Sequence, residues 1–123
     1  MYLFLSPDDS KNLYPDNSPA DFIVELPRTI CGNSISLQHV YYKVKEASTR
    51  QLHYILCDLV EASIVGGQEK RALGSFFQSG SVESAQELPL SSKTFRRIRI
   101  KVINSKFEDD QTLSAIYLTV KIQ

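Results

Sequence analysis

Few side chains in this 123-residue sequence could carry acid–base or nucleophilic chemistry, and their spacing does not bring them together. His39 and His53 are the two side chains of the type that titrates near neutral pH. His53 and Cys57 would share one face of an extended strand but lie about 13 Å apart, too far for a nucleophile and its base. The sequence therefore predicts no catalytic residue, and both histidines are expected to be packed or cross-strand partners.

Metal and phosphate ligands also lack the spacing that their sites require. Four acidic residues could in principle gather around calcium: Asp8, Asp9, Asp16 and Asp21. None of them has the spacing of a dedicated calcium loop, so we interpret them as turn and cap formers. Gly66-Gly67 is not followed by a phosphate-binding pattern and predicts a backbone turn with positive φ. The sequence therefore predicts no metal ion and no cofactor.

Composition limits the partners and the compartment. Fourteen basic and fourteen acidic side chains cancel, so the whole chain has no electrostatic reason to bind nucleic acid or an anionic membrane. No run approaches the roughly 20 apolar residues of a membrane span, and residues 1–5 lack the basic lead of a signal peptide. Cys31 and Cys57 fit no disulfide framework. We therefore expect two reduced, buried thiols in a protein that stays on the cytosolic or nuclear side of a cell.

A stripe of basic residues lies on one predicted strand. Arg97, Arg99 and Lys101 alternate with apolar residues, so their side chains share the exposed face of that strand. A solvated sheet face is the default interpretation, and an ionic contact with an acidic neighbouring subunit is the alternative. No exposed aromatic platform accompanies these charges, so they make a poor site for single-stranded nucleic acid.

Apolar and polar residues alternate with period two through most of the chain, which predicts strands. The last two strong strands direct six apolar residues toward a core: Ile98, Ile100, Val102, Leu118, Val120 and Ile122. Residues 2–5 and 35–44 predict two more strands, the second with a bulge near His39 where the alternation changes phase. Residues 53–60 are nearly all apolar, which is typical of a central strand covered on both sides.

The connections are less regular. Residues 105–112, with acidic residues at their centre, predict a hairpin turn between the last two strands. Residues 46–52 could form one helical turn, residues 68–77 predict an irregular connection or a strand, and residues 79–84 predict a surface loop. Roughly eight short strands with frequent turns predict a single antiparallel β-sandwich domain over residues 1–123. A jelly roll is our first choice, and an immunoglobulin-like sandwich is the alternative.

A rigid polar loop precedes one of these strands. Its residues include Tyr14, Pro15, Asp16, Asn17, Ser18, Pro19 and Asp21. The alternation of residues 22–26 predicts a strand, and we expect Pro27 to end it. Because Pro15 and Pro19 fix φ, ordering this loop at an interface would cost little entropy. The loop is therefore a candidate subunit contact, and a loop folded on its own domain is the equally open alternative.

Residues 14–27 resemble a segment of the capsid-associated proteins of Polinton (Maverick) elements and adintoviruses, in which a Tyr-Pro-x-Asn loop precedes Phe-x-Val-x-Leu-Pro. Further blocks match in order: Leu26-Pro27-Arg28 followed by Gly32, residues 54–61 ending in Asp-Leu-Val-Glu, Val65-Gly66, and residues 90–95. Together the blocks are similar in order and spacing over the whole chain. One departure follows Gly32, where the family usually has a Trp-containing segment and this chain reads Asn-Ser-Ile-Ser-Leu.

The resemblance implies a structural virion protein of a double-jelly-roll-type DNA virus, either a penton-like vertex protein or a minor capsid component. Its expected partners are copies of itself, with a pentamer favoured over a trimer, the major capsid protein and other virion proteins. It would be assembled inside the host cell, in the cytoplasm or nucleus, and carried in the virion. The alternative is a β-sandwich binding module, such as a vertex spike that recognises a receptor or ligand, with Phe76 and Phe77 as candidate loop-tip aromatics. An enzyme would need an acid–base cluster that the sequence does not show.

Overall fold

The computed structural model describes residues 1–45, 52–77 and 86–123, and within these residues the protein consists of strands, turns and loops without a helix. The strands are, in chain order, β1 (Tyr2–Leu5), β2 (Asp21–Cys31), β3 (Ser34–Val44), β4 (Leu52–Cys57), β5 (Ser63–Val65), β6 (Gln68–Lys70), β7 (Ala72–Phe77), β8 (Leu88–Pro89), β9 (Thr94–Ile103) and β10 (Leu113–Ile122). The predicted helical turn at residues 46–52 and the predicted loop at residues 79–84 lie outside the described residues, apart from Leu52, which begins β4.

Two four-stranded antiparallel sheets pack face to face, which confirms the β-sandwich. Sheet A has the order β1-β10-β3-β8 and sheet B the order β2-β9-β4-β7, while β5 and β6 form a separate hairpin. Without that hairpin, the first strand pairs with the last, the second with the last but one, and the third with the last but two, around a central β4–β7 pair. This nested pairing is the topology of a jelly roll rather than an immunoglobulin-like sandwich.

The nested pairing sends the chain from one sheet to the other at every connection between the eight sandwich strands except β4 to β7. The predicted hairpin at residues 105–112 is therefore wrong, because β9 lies in sheet B and β10 lies in sheet A. Strand β9 already has β2 and β4 on its two edges, so no edge is free for β10. The turn-forming residues at 105–112 correctly predict that the chain reverses, but they do not determine which sheet the next strand joins.

The core lies between the sheets and is filled by the inward residues of each strand. The six core residues that the alternation predicts are all buried: Ile98, Ile100, Val102, Leu118, Val120 and Ile122. The predicted bulge in β3 is confirmed, because His39 pairs with Thr119 while Leu37 pairs with Val120, which leaves Gln38 as an extra residue. Through this extra residue β3 keeps apolar side chains on the core face at both ends despite the change of phase.

Strand β4 shows how the outer face of sheet B is covered. The prediction of a central strand is correct, because β4 lies between β9 and β7. His53, Ile55 and Cys57 point into the core, whereas Tyr54 and Leu56 are half-buried, so the outer side of the strand is covered only in part. Over Tyr54 the partial cover comes from Phe107, whose ring stacks on the tyrosine with 6.3 Å between ring centroids. A run of apolar residues predicts that a strand is buried, but it does not predict how completely other residues cover each of its two faces.

The β5–β6 hairpin closes on the predicted glycine turn. Val65 pairs with Gln68, and between them Gly66 and Gly67 have φ values of 56° and 80°. Positive φ at both central residues matches the right-handed twist of the flanking strands, which confirms the prediction. Residues 68–77 form β6 and β7, so the strand interpretation of that segment is correct.

The two cysteines differ in environment. Cys57 is buried, and that burial raises the pKa of its thiol to about 12, which makes the thiol unreactive. Cys31 is exposed at the end of β2, so the prediction of two buried thiols is wrong for this residue. Cys31 pairs with Thr94 and Cys57 with Ile100 along β9, about 20 Å apart at strand spacing. A disulfide between them would require rearrangement of sheet B.

We expect Leu118→Ala to lower the free energy of unfolding by about 2–5 kcal/mol, because it leaves a cavity in the core. Thr119→Ala changes the adjacent, outward-facing position of β10 and should cost less than about 1 kcal/mol. Urea denaturation of both variants measures the difference. A larger loss for Thr119→Ala would show that the register of β10 is shifted by one residue.

Candidate functional site

The loop of residues 6–20 lies along the free edge of β2, and Asn17 fastens it there. The Asn17 side chain accepts a hydrogen bond from the Ile23 amide at 3.0 Å and donates one to the Ile23 carbonyl at 2.8 Å. It also donates to the Pro7 carbonyl at 3.3 Å, and the residue is buried. A single side chain thus makes the two hydrogen bonds that a neighbouring strand would make with Ile23.

Other residues of the loop continue this cover along β2. The Ser10 hydroxyl accepts a hydrogen bond from the Glu25 amide at 2.8 Å, and the Tyr14 hydroxyl donates to a Glu25 carboxylate oxygen at 2.9 Å. Ser18 and Asp21 exchange backbone hydrogen bonds where the loop enters the strand. An uncovered edge strand can pair with another chain, so the loop protects β2 from uncontrolled association.

The predicted contact loop is therefore folded on its own domain, with a small exposed tip. Within it, Asn17 is buried, and Tyr14, Ser18, Pro19 and Asp21 are half-buried. Pro15 and Asp16 are exposed, as is the neighbouring Leu13. Any contact with another subunit through this loop would use that tip, because the rest of the loop is bonded to β2.

The predicted basic stripe on β9 is divided by its ion pairs. Arg99 donates two hydrogen bonds to the carboxylate of Asp21, at 3.0 and 2.8 Å, and this pairing holds the pKa of the guanidinium above its usual value. Lys101 pairs with Asp109 at 3.3 Å. Arg97 has no ion pair among the described residues, and Glu25, opposite it in the register, accepts a hydrogen bond from Tyr14. Arg97, Arg99 and Lys101 therefore lie on one strand, but only Arg99 and Lys101 are in ion pairs among the described residues.

The exposed cations without an ion pair lie N-terminal to Arg99, near the start of β9. Phe95 and Ile98 both face the core, and the two residues between them are both exposed. Opposite Arg96 the register of β2 shifts, so residues 26–29 form a bulge within β2, and the prediction that Pro27 ends the strand is wrong. The exposed cations at this end of sheet B are Arg28, Lys93, Arg96 and Arg97. We call these four residues the basic cap. Among the described residues, none of the four is in an ion pair with a carboxylate.

A buried polar cluster joins β4 to the connection between β9 and β10. Nδ1 of His53 lies against one oxygen of Asp110, and the other oxygen accepts hydrogen bonds from the Thr112 amide at 3.1 Å and hydroxyl at 2.5 Å. The His53 ring stacks on Phe76 with 4.8 Å between centroids. Both His53 and Asp110 are buried, so the pair acts as an internal tie between elements rather than as an open site.

Asp110 is the member of this cluster that sequence reasoning missed. Burial by itself would raise the pKa of its carboxyl, but the hydrogen bonds from His53 and Thr112 and the attraction of His53 hold the pKa below its usual value. The sequence Asp110-Gln111-Thr112 could have indicated this local bond, because an aspartate carboxylate often accepts a hydrogen bond from the amide two residues later. The partner histidine, 57 positions earlier, could not be inferred from it.

The outer face of sheet A carries a group of exposed aromatic residues that sequence reasoning also missed. We call Tyr2, Phe4, Tyr41 and Tyr117 the aromatic face. Tyr41 and Tyr117 are opposite each other on β3 and β10, with 5.9 Å between ring centroids. Phe4 is 74% exposed on β1 and lines one shallow depression together with His39 and Tyr117. The signal was present as aromatic residues at the outward positions of alternating strands.

The described residues contain no group of three or more His, Cys, Asp or Glu side chains that could hold a metal ion. In the same part of the chain, no helix is long and apolar enough to cross a membrane. Comparison with family models, with curated proteins and with solved structures found no match to this chain.

We predict that Asn17→Ala lowers the free energy of unfolding by about 1–3 kcal/mol, because it leaves the Ile23 amide and carbonyl without their partner. Asn12→Ala is the matched control, since Asn12 is exposed in the same loop, and it should change stability by less than about 0.5 kcal/mol. Hydrogen exchange adds a local readout. Only Asn17→Ala should accelerate exchange of the Ile23 amide, and equal exchange in both variants would refute the edge-cover role.

We expect the Asp110 carboxylate to stabilise the fold in a pH-dependent way. Its folded-state pKa lies below the ordinary value of 3.8, so its contribution is present above about that pH and is lost as the pH falls through the folded-state pKa. Asp110→Asn should cost about 1–3 kcal/mol at neutral pH. The difference from wild type should shrink in acid, as measured by urea denaturation from pH 7 to pH 2.5. A difference that grows in acid would contradict the assigned direction.

Proposed function

We propose that this chain is a structural virion protein, a penton-like or minor capsid component that forms homo-oligomers and packs against capsid neighbours. The resemblance of its sequence blocks to Polinton and adintovirus capsid-associated proteins is one support. The jelly-roll topology is a second, because viral capsid domains are among the proteins built on this architecture. Since the same architecture also serves lectin domains and cupins, the proposal must rest on the surfaces of this chain.

The aromatic face is the observation that carries the proposal. Three strands of sheet A present large aromatic side chains to solvent, and Phe4 is the most exposed of them. Aromatic residues are enriched at the centres of protein interfaces, where they bury much area at small entropic cost. A flat, rigid sheet face of this kind suits repeated packing against a neighbouring capsid protein.

The interior supports a packing role rather than a ligand cavity. The space between the two sheets is filled by apolar side chains, and the largest of them are fully buried: Phe22, Phe76, Ile35, Leu37, Ile55, Ile98, Ile100, Ile116 and Leu118. Of the two aromatics considered for a receptor-binding module, Phe76 belongs to this core and only Phe77 is exposed. The loop-tip argument for a binding module is therefore weaker than the sheet-face argument for a capsid component.

Incorporation into particles tests the proposal. Phe4→Ser combined with Tyr117→Ser removes two rings of the aromatic face, and this variant should be depleted at least tenfold from intact particles, as measured by quantitative mass spectrometry. Ile64→Ser is the matched control, since Ile64 is an exposed apolar residue on the β5–β6 hairpin, away from the aromatic face. Thermal unfolding of both variants checks that the sandwich still folds.

Oligomeric state is the second readout for the proposed function. Light scattering on the purified wild-type chain should report a pentamer, and a trimer would redirect the proposal toward a spike. A chain that stays monomeric at high concentration and is also missing from intact particles would refute the capsid role.

A further inference from the structure

Exposed charges of opposite sign lie beside the two halves of β2. The basic cap is at the end where β2 finishes and β9 begins, because Cys31 pairs with Thr94. The loop of residues 6–20 lies beside the other half of β2, from Asp21 to Glu25. It carries Asp8, Asp9 and Asp16 against the single cation Lys11. Asp21 pairs with Lys101 and Cys31 with Thr94 along β9, so the two ends of β2 are about 23 Å apart at strand spacing.

We propose that the basic cap of one copy of this chain binds the exposed carboxylates of the 6–20 loop, Asp8 and Asp16, of the next copy. The inference rests on the proposed homo-oligomer and names the surfaces that join its subunits. Two different, complementary surfaces on one molecule make a heterologous contact, which closes into a ring when the rotation between copies allows it. A contact of this kind is what a cyclic vertex protein requires.

The charge of the basic cap is available for such a contact. On the same strand, Arg99 and Lys101 are neutralised by Asp21 and Asp109, which limits the unpaired cations to the cap. The polar contacts of the cap that the described residues show are with backbone oxygens: Arg96 donates to the Leu26 carbonyl, and Arg28 donates to the Thr29 carbonyl, each at 3.4 Å. Four exposed cations therefore face outward without a carboxylate partner in the described part of the chain.

The Asp8 and Asp16 carboxylates are available as well, and the loop that carries them is already ordered. Asp16 is exposed and has no ion pair among the described residues, and the pair of Asp8 with Lys11, at 3.7 Å, is between exposed side chains and worth little. The bonds of Asn17, Ser10 and Tyr14 to β2 hold the loop before any partner arrives. Binding through this loop consequently loses little conformational entropy.

A second copy fits the cap better than nucleic acid does. The exposed aromatic residues that could stack on bases lie mainly on the outer face of sheet A, whereas the cap belongs to sheet B. The chain as a whole is neutral, so the attraction of the cap for a long polyanion is offset by the fourteen acidic residues. A carboxylate-bearing loop matches the sign of the cap.

Charge reversal tests the contact. One variant carries Arg28→Glu and Lys93→Glu, which avoids Arg96, bonded to Leu26, and Arg97, which faces Glu25. A second variant carries Asp8→Lys and Asp16→Lys, and a third carries all four changes in one chain. Lys43→Glu with Lys106→Glu is the control, because it alters net charge as much as the first variant does at exposed sites outside the cap.

Sedimentation velocity at low and high salt gives the oligomer distribution of each variant. We expect each double reversal to raise the dissociation constant of the oligomer at least tenfold, the combined variant to restore it, and the control to leave it unchanged. The wild-type oligomer should also weaken with salt. An oligomer that survives both reversals would refute this contact but leave the capsid role intact. A wild type that stays monomeric at high concentration would refute the contact, and its absence from intact particles as well would refute the capsid role.

Binding of a duplex DNA oligonucleotide provides the competing outcome. If wild-type protein binds the duplex, the first variant does not, and the oligomer is the same for both, then the cap is a nucleic-acid surface and the subunit contact is wrong. No DNA binding together with loss and recovery of the oligomer supports the contact.

Discussion

The nested antiparallel pairing of the strands is the constraint on which the rest of the molecule depends. Strand β10 lies between β1 and β3, and strand β9 lies between β2 and β4, so each sheet is built around a strand from the end of the chain. Because β9 and β10 pair with strands from the first half of the chain, neither sheet can be complete until these two C-terminal strands have formed. This topology leaves β2 at the edge of sheet B, where it needs the 6–20 loop, and it carries residues 104–112 over the end of the sandwich, where Asp110 meets His53.

Local patterns predicted most of the fold because burial on one face of a strand imposes period two on its residues. The cores of β9 and β10, the bulge at His39 and the turn at Gly66-Gly67 all follow from such local rules. Sheet membership does not follow from them, so the turn residues predict a hairpin before β10 that the structure does not contain. Whether a strand pairs with its neighbour in sequence or with one eighty residues away is decided by the whole topology, which no local pattern contains.

The candidate surfaces were less predictable than the fold. Two residues of the basic stripe, Arg99 and Lys101, find acidic partners from distant segments, so counting charges along β9 overestimated the free charge on that strand. The bulge that exposes both Arg96 and Arg97 moves the free charge toward the end of the sheet. The prolines of the 6–20 loop predict a rigid loop. The contacts of Asn17 with Ile23 show that this loop covers the edge strand β2 of its own domain. The basic cap, the tip of the 6–20 loop and the aromatic face stay exposed after these internal contacts are made. These surfaces are therefore available to partners.

The central claim is that a jelly roll sealed along its β2 edge assembles head to tail with copies of itself. Electron cryomicroscopy of the assembled oligomer tests this claim most directly, because it shows both the number of subunits and the residues at each contact. The account predicts a closed ring of five copies in which the tip of the 6–20 loop of one subunit lies against Arg28, Arg96 and Arg97 of the next. A two-fold dimer joined through opposing β2 edges, with the loop displaced from Ile23, would contradict it.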